Sequence, residues 1–413
     1  QALGSFKNRQ LASNSRKVAG VLEVLAVFFR LGLTSFGGPT AHLGYFRDEF
    51  VQRRKWITEE EYADLVAVCQ FMPGPASSQV GMAIGLKRAG YAGMFAAWFG
   101  FTMPSVILMV AFALGVARLG EISDAGWLAG LKAAAVAVVA QAVMGMSKSI
   151  ITDARRAAIA LGAFLVALLV SNPFTQVGVI AAGMLVGILL FGRERNGEND
   201  ADHVAATRSR TQSRTVGAVA LATFGALLVF LPMIAGAVRN TGVGIFDSFY
   251  RAGALVFGGG HVVLPLLEQA TVPTGLVDHD SFLAGYGAAQ AVPGPLFTFA
   301  SFLGASAEGV PWLWGATIAT VAIFLPAALL VIGVMPFWDR LRQHPMAASA
   351  LAGANAAVVG ILAAALYNPV FTAGVHGPGT MGVAAAAFVA LQSFKLPAWA
   401  VVIAAALVGG IAL

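Results

Sequence analysis

The sequence predicts an all-α polytopic membrane protein built from two repeats of inverted topology, with broken or re-entrant helices at Gly-Gly and Pro-Gly-Pro motifs. Three observations carry this prediction: an apolar composition, motifs that occur twice, and an uneven distribution of basic residues. The chain has 413 residues, of which 58% are hydrophobic and only 11% are charged, and its mean hydropathy is +0.78. Because a soluble domain carries roughly 25% charged residues, lipid must replace water around most of this surface.

The motifs come in pairs. In the first half Arg30 precedes Phe36-Gly37-Gly38, and in the second half Arg251 precedes Phe257-Gly258-Gly259. A second pair is Gln70 with Pro73-Gly74-Pro75 and Gln290 with Pro293-Gly294-Pro295, and its spacing differs from that of the first pair by a single position. Paired Gly and Pro interruptions of apolar segments in two halves are typical of the substrate site of a transporter.

The apolar segments form two sets separated by a polar stretch. They are predicted near 21–45, 62–86, 91–117, 127–147, 156–171, 175–191, 216–238, 244–267, 281–305, 311–336, 348–366, 380–394 and 397–413. The predicted organisation is a cytoplasmic N-terminal segment (1–20), a first repeat (21–191), a cytoplasmic linker (192–215), a linking transmembrane helix (216–238) and a second repeat (239–413).

Basic residues predict the orientation, because Lys and Arg collect on the cytoplasmic side. They are frequent in 1–20, 47–55 and 193–214, whereas the loop 268–281 carries acids but no Lys or Arg. If the basic clusters are all cytoplasmic, 21–45 and 62–86 are re-entrant hairpins, and the single linking helix inverts the second half. The alternative is that both segments span fully, which places the 47–55 cluster outside. Re-entrant backbone must be buried in protein or face water, since unpaired amides in lipid are costly.

Arg30 and Arg251 lie inside apolar segments at equivalent positions. A charge at bilayer depth is expensive and usually serves an ion path or a partner. One interpretation is that the two guanidinium groups face a central anion. The alternative is a structural role, in which each arginine caps carbonyls of a broken helix or pairs with an acid.

The Gly and Pro-Gly-Pro breaks predict backbone anion sites. Glycines in the Gly-Gly motifs let amides approach a ligand without a Cβ in the way. The residues after each Pro-Gly-Pro turn, Ala76-Ser77-Ser78 and Leu296-Phe297-Thr298, are expected to form helix N-termini. Such an end carries roughly +0.5 charge and binds oxyanions, so two ends meeting suit a tetrahedral dianion. The alternative is that each turn is only a kink in a long helix.

Other polar residues accompany these motifs. The amides of Gln70 and Gln290 either donate to an oxyanion or satisfy the broken backbone. His261 and His42 follow the two glycine runs, and a histidine there could titrate during proton-coupled transport, although a satisfied structural histidine is more common. Lys132 is expected to snorkel to the outer interface, with contact to the substrate as the alternative.

Several classes of protein are excluded or disfavoured. The net charge of +6 indicates topology rather than nucleic-acid binding. The sequence has no Walker motif, no metal-ligand spacing and no convincing nucleophile–base pair, so we predict no enzymatic activity, cofactor or metal. Thr58 and Glu61 are interpreted as a capping box at the start of a helix.

The paired motifs, Phe29-Arg30-Leu31-Gly32 with Phe36-Gly37-Gly38-Pro39 foremost among them, resemble the chromate ion transporter family in its long form with two fused halves. The resemblance runs from about Val24 to the C-terminus. It implies a secondary active antiporter in the cell inner membrane that exports chromate from the cytoplasm, uses the proton gradient and confers chromate resistance. Carried over by motif position, the functional residues are Arg30, Gly37, Gly38, Pro73, Gly74, Pro75, Arg251, Gly258, Gly259, Pro293, Gly294 and Pro295.

The expected partners are chromate or a related oxyanion, protons as the coupling ion, and the lipid bilayer, while a homodimer is left open. The alternative functions are a transporter of sulfate or another oxyanion and an anion channel, which would share the cationic site. Coupling of the flux to a pH gradient distinguishes a transporter from a channel. Pro39-Thr40 stands where the second half has Gly260-His261, so the two half-sites are not chemically equal.

Overall fold

The computed structural model describes residues 19–36, 38–118, 126–170, 175–192, 213–257, 262–338 and 344–413. All regular secondary structure within these residues is helical, as the composition predicts. The first half contains α1 (19–34), α2 (Gly38–Arg47), α3 (Glu59–Phe71), α4 (Ala76–Arg118), α5 (Gly126–Ile150), α6 (Ala154–Leu169) and α7 (Thr175–Phe191). After α8 (Arg214–Val238), the second half contains α9 (Thr241–Ala254), α10 (Val263–Thr271), α11 (His279–Ala291), α12 (Phe299–Ser306), α13 (Trp312–Val334), α14 (Pro345–Ala365), α15 (Pro378–Gln392) and α16 (Ala398–Ala412).

Helix α4 is a hairpin. Its 43 residues would extend about 65 Å as one rod, roughly twice the hydrocarbon thickness of a bilayer. The backbone leaves the helical conformation at Ala89 and at Gly90, where φ is 68°. Beyond this break the chain returns so closely that a Cβ on Gly85 would lie 2.3 Å from the carbonyl oxygen of Gly93. We call the two arms α4a (76–88) and α4b (91–118).

The second half repeats this local structure. Helices α12 and α13 pack at Gly304 and Gly315 as α4a and α4b do, and a Cβ on Gly304 would lie 2.2 Å from the Gly315 carbonyl oxygen. The helices that precede the two turns also begin alike. Thr58 caps α3 by accepting from the Glu61 N–H at 3.2 Å, which confirms the predicted capping box, and Asp278 caps α11 in the same way.

The two halves exchange their helices. Helix α5 packs on α15 and α16 of the second half, while its counterpart α14 packs on α6 and α7 of the first. The closest contacts correspond: a Cβ on Gly130 would lie 2.1 Å from the Ala405 carbonyl oxygen, and one on Gly353 would lie 2.0 Å from that of Gly183. Gly130 is related to Gly353, and Gly183 to Ala405, by nearly the same spacing as the repeated motifs. The halves are therefore interlocked rather than placed side by side.

Five helical stretches among the described residues are long and apolar enough to cross a membrane. They are Ala76–Arg118, Gly126–Ile150, Arg214–Val238, Trp312–Phe337 and Met346–Gly374. Large apolar side chains such as Val219, Phe230 and Met233 are exposed on α8, which suits contact with lipid. The chain is therefore a multi-pass membrane protein.

Candidate functional site

The two Pro-Gly-Pro turns meet the two glycine breaks through a reciprocal pair of hydrogen bonds. The Gly74 N–H donates to the Val256 carbonyl oxygen at 2.7 Å, and the Gly294 N–H donates to the Ser35 carbonyl oxygen at 2.9 Å. Ser35 and Val256 both directly precede a Phe-Gly-Gly motif. Each turn is thus docked on the residue that precedes the Phe-Gly-Gly motif of the other half.

Glycine is required at the middle of both turns. The φ angles of Gly74 and Gly294 are +117° and +90°, a region that residues with a Cβ rarely adopt. Different side chains brace the two turns: the Gln79 amide donates to the Pro73 carbonyl oxygen at 2.8 Å, whereas the Ser105 hydroxyl donates to that of Pro293. The turns share a backbone but differ in their surroundings.

Helices begin after both turns, as expected, but their first turns differ. Helix α4a begins directly at Ala76, so the amides of its first turn lack intrahelical acceptors. The segment Leu296–Thr298 instead forms a 3₁₀ turn, and α12 starts only at Phe299. Thr298 closes this turn, because its hydroxyl donates to the Pro295 carbonyl oxygen at 2.8 Å. Both segments thus begin helices after their Pro-Gly-Pro motifs, but in the second half the Thr298 N–H already donates to the Pro295 carbonyl oxygen at 3.0 Å.

Four buried hydroxyl groups and an imidazole, which we call the hydroxyl cluster, lie on the start of α4a, on α4b and around the first glycine break. Its members are Ser35, His42, Ser77, Ser78 and Thr102. Nε2 of His42 lies 3.2 Å from the Ser35 carbonyl oxygen, which can only accept, so this nitrogen carries a proton. In the neutral ring Nδ1 then accepts from the Ser77 hydroxyl, 3.3 Å away. The histidine thus links the first glycine break to the start of α4a.

Three members of the hydroxyl cluster are unsatisfied. The hydroxyl oxygens of Ser35, Ser78 and Thr102 are buried and have no hydrogen-bond partner among the described residues. Leaving a buried hydroxyl unpaired costs about 1–3 kcal/mol. Such groups are uncommon in native proteins and call for a specific explanation, of which a missing ligand is one.

The two predicted arginines are paired with acids. An Nη2 atom of Arg30 lies 2.6 Å from a carboxylate oxygen of Glu49, which is 5% exposed and also binds Arg53 and Arg54. Burial alone would raise the pKa of Glu49, but hydrogen bonds and charges from Arg54, Arg30 and Arg53 hold that pKa below its ordinary value. In this conformation Glu49 therefore anchors Arg30 through its carboxylate.

Arg251 has a simpler environment. Its Nε and Nη2 atoms bind the two carboxylate oxygens of Asp247 at 3.0 and 2.6 Å, a bidentate pair one helical turn apart. Asp247 is buried and the Arg251 side chain is one-quarter exposed. Both symmetry-related arginines thus bind acids, as the structural alternative anticipates, although the acids occupy unrelated positions in the two halves.

The remaining predicted residues are dispersed. The Gln70 side chain is exposed rather than buried, whereas Gln290 has a buried amide nitrogen without a partner among the described residues. Phe36 packs on Trp399 with 5.5 Å between ring centroids, and Phe257 is buried. Gly37, Gly258, Gly259 and His261 lie outside the described residues. Within those residues, no group of His, Cys, Asp or Glu side chains is arranged to hold a metal ion.

Lys132 departs from its predicted position. Its side chain is only 6% exposed and its Nζ lies 2.5 Å from Oδ1 of Asp280, in the first turn of α11. Snorkelling is therefore wrong for this residue, because an acid from the second half satisfies it inside the protein. The sequence signal was present in Lys132 itself, a cation in an apolar segment where the second half has Asn355.

Sequence reasoning also missed several residues of the site. They are Ser35, Glu49, Gln79, Thr102, Ser105 and Asp247. All are polar residues inside or beside apolar segments, and that was the available signal. None of them recurs at the matching position of the other half, so a search for repeated motifs passes over them.

Comparison with known proteins identifies the family. The chromate transporter family model matches the chain twice, over residues 22–188 and over residues 243–410. The chain belongs to the chromate transporter family. It is therefore a membrane transporter and not an enzyme, and family membership supports chromate as its cargo.

Relatives of this chromate transporter match most of its length. A chromate transport protein of Pseudomonas aeruginosa is 29% identical over 399 residues, which cover 94% of this chain and 91% of the relative. A chromate transport protein of Cupriavidus metallidurans is 25% identical over 353 residues, covering 83% and 81%. An uncharacterized transporter of Bacillus subtilis is 29% identical over 175 residues, covering 40% of this chain but 94% of the relative. No solved structure matches the chain.

Proposed function

We propose that this chromate transporter exports chromate from the cytoplasm across the cell inner membrane in exchange for protons, and that this export confers chromate resistance. The observation that carries the proposal is the match of the family model to both halves. The reciprocal hydrogen bonds of Gly74 and Gly294 support it, because they gather the repeated motifs of both halves in one place. A site at the junction of two repeats is the arrangement on which secondary transporters alternate access.

Chromate is a tetrahedral dianion, and donors from both halves suit it. The first turn of α4a supplies amides without intrahelical acceptors and the positive end of a helix dipole. Arg30 and Arg251 supply planar donors that can bond two oxyanion oxygens at once. Both arginines now bind carboxylates, so substrate binding would exchange a fixed acid for the mobile dianion. In this proposal Glu49 and Asp247 hold the arginines in place between transport cycles.

Everted inner-membrane vesicles test the function. Vesicles that contain the transporter should accumulate radiolabelled chromate when their lumen is acidified, and collapse of the pH gradient should abolish accumulation. A flux that follows only the chromate gradient and the membrane potential would indicate an anion channel instead. Competition by sulfate and molybdate in the same assay reports the substrate, because abolition of chromate uptake by an equal concentration of either would contradict chromate preference.

Replacement of either arginine by alanine is expected to abolish this accumulation, and lysine should restore it only in part. Lysine keeps the charge but loses the planar fork that bonds two oxygens together. Vesicle uptake and resistance of cells to chromate, each at matched expression, are the measurements.

The chain offers a matched control for Arg30. Arg53 binds the same Glu49 carboxylate at 3.0 Å but is more exposed than Arg30. The Arg53→Ala variant therefore removes one partner of Glu49 and leaves Arg30 in place. We expect Arg53→Ala to retain most of the transport activity. Equal losses for Arg30→Ala and Arg53→Ala would assign Arg30 to the support of Glu49 rather than to the substrate.

We also propose that the two halves have opposite orientation, with the N-terminus and the 192–215 linker in the cytoplasm. The basic cluster 47–55 and the base-free loop 268–281 occupy corresponding places in the two repeats, and this contrast motivates the proposal. The two halves would then approach the substrate from opposite faces of the membrane.

Single-cysteine labelling should place Gln52 and Thr274 on opposite sides of the membrane. Cys69 is the only cysteine and is buried, so Cys69→Ala provides a background in which Gln52→Cys and Thr274→Cys are separately labelled. An impermeant maleimide on intact cells should react with the Thr274 variant only, and on everted vesicles with the Gln52 variant only. Reaction of both variants from one side would show parallel halves.

A further inference from the structure

We propose that the chain holds a single oxyanion site, formed by the hydroxyl cluster and the N-terminus of α4a in the first half, and that the matching place in the second half is a packed aromatic support. The inference rests on the proposed function, whose substrate it locates. It differs from the symmetrical site that the repeated motifs predict, because the hydroxyl groups that it adds to the two arginines come from positions that are not repeated.

Positions related by the repeat show the asymmetry. When the two halves are aligned on their repeated motifs, the hydroxyl-cluster positions correspond to apolar residues in four of five cases. Ser35 corresponds to Val256, His42 to Val263, Ser77 to Phe297 and Ser78 to Thr298. Thr102 corresponds to Phe324, because each lies two residues before the proline of the second hairpin arm, Pro104 or Pro326. All five second-half residues are buried. The one polar residue among them is Thr298, and its hydroxyl already donates to the Pro295 carbonyl oxygen within its own turn.

The second half also shows that two of these positions face the same space. The rings of Phe297 and Phe324 pack together with 6.0 Å between their centroids. Their counterparts Ser77 and Thr102 lie on α4a and α4b, which pack as α12 and α13 do. The place that two phenyl rings fill in the second half therefore carries two small hydroxyl side chains in the first, with the His42 ring against Ser77.

The chemistry of the hydroxyl cluster selects an oxyanion. Ser35, Ser78 and Thr102 each bring a buried hydroxyl without a partner among the described residues, and each can donate one hydrogen bond. The start of α4a adds backbone donors and a positive dipole end. A tetrahedral oxyanion accepts bonds from several directions, so it can satisfy these donors together.

The first test is the stoichiometry of binding to the purified full chain. Equilibrium dialysis with radiolabelled chromate should give one anion per chain, and dialysis with sulfate and molybdate identifies the anion if chromate does not bind. Binding of sulfate or molybdate but not chromate would overturn the proposed substrate. The number of sites would then be measured with the anion that binds. Two anions per chain would overturn the single site and leave the proposed function standing, and binding of none of the three would overturn both.

The second test locates the site with matched double variants. Ser78→Ala/Thr102→Val removes two unpaired hydroxyls and should weaken anion binding at least tenfold. Ser301→Ala/Thr320→Val removes two buried hydroxyls from α12 and α13, but these already donate to carbonyls of their own helical segments at 2.7 Å. The control should change affinity less than twofold. Equal weakening by both variants would overturn the site.

Thermal unfolding separates a ligand site from a structural one. Without ligand, Ser78→Ala/Thr102→Val should melt at the same or a higher temperature than the parent chain, because no hydrogen bond within the described part of the protein is lost. Its melting temperature should no longer rise on addition of the anion. A lower melting temperature without ligand, with the anion-induced rise preserved, would show that these hydroxyls support the fold and do not bind the anion.

Discussion

Gly294→Ala is expected to reduce both the stability and the transport activity of the chain severely. The φ angle of +90° is strained for alanine, which costs about 1–3 kcal/mol. The new Cβ would also lie 2.6 Å from the Ser105 hydroxyl oxygen and 3.2 Å from the Phe101 carbonyl oxygen, and such overpacking costs another ~1–3 kcal/mol. Relief of this clash would move the Gly294 N–H away from Ser35 and separate the halves at the site.

Two further substitutions calibrate that result. Gly74→Ala is strained in the same way, but its nearest neighbour is the flexible amide end of Gln79 at 3.0 Å, so its effect should be smaller. Gly225→Ala in α8 meets no atom within 4 Å and should be neutral or stabilising by up to about 1 kcal/mol. Melting temperature in detergent and vesicle uptake are measured for all three. If the Gly294 variant were as stable and active as the Gly225 variant, the turn would be shown to act only as a kink.

Asp280→Ala is expected to destabilise the chain by about 3–5 kcal/mol, because it leaves Lys132 buried without its partner. Lys132→Met should cost much less. It leaves Asp280, which is 44% exposed, free to hydrate, and it replaces the lysine stem by an apolar side chain of similar length. The large difference between two partners of one ion pair follows from their unequal burial.

The double variant decides whether burial is the cause. Lys132→Met/Asp280→Ala removes both charges and should recover most of the stability that Asp280→Ala loses. Membrane proteins commonly unfold irreversibly, so the four proteins must be compared at one heating rate. Equal losses for the two single variants, or no recovery in the double variant, would show that the pair does not act through desolvation of Lys132.

Composition and repetition predicted most of the helices and their breaks. The apolar segments predict most helix positions to within a few residues, because apolar runs of this length have few alternatives in a membrane. The Gly and Pro-Gly-Pro motifs predict the breaks, since their backbone chemistry is local. The exchange of α5 and α14 between the halves could not be predicted, because it depends on helix packing between residues that are far apart in the chain.

The site was less accessible to sequence reasoning. Repetition points to what the halves share, such as the two Pro-Gly-Pro turns with their reciprocal hydrogen bonds. Ion-pair partners such as Glu49 and Asp280 are distant in sequence from Arg30 and Lys132, so composition alone does not select them. The hydroxyl cluster can be recognised only by comparing the two halves. Ser35 and Thr102 are distinctive because their counterparts in the second half, Val256 and Phe324, are buried apolar residues.

Because the halves exchange helices, some helices are synthesised long before the helices against which they pack. Gly187 of α7 emerges from the ribosome long before Gly353 of α14, the helix against which it packs. At a synthesis rate of roughly 5–20 residues per second, α6 and α7 wait about 8–33 s for that partner. Lipid or an insertion factor must cover their small-residue faces during this interval. The first half therefore remains incompletely packed during synthesis, and its packing is completed only by helices from the last quarter of the chain.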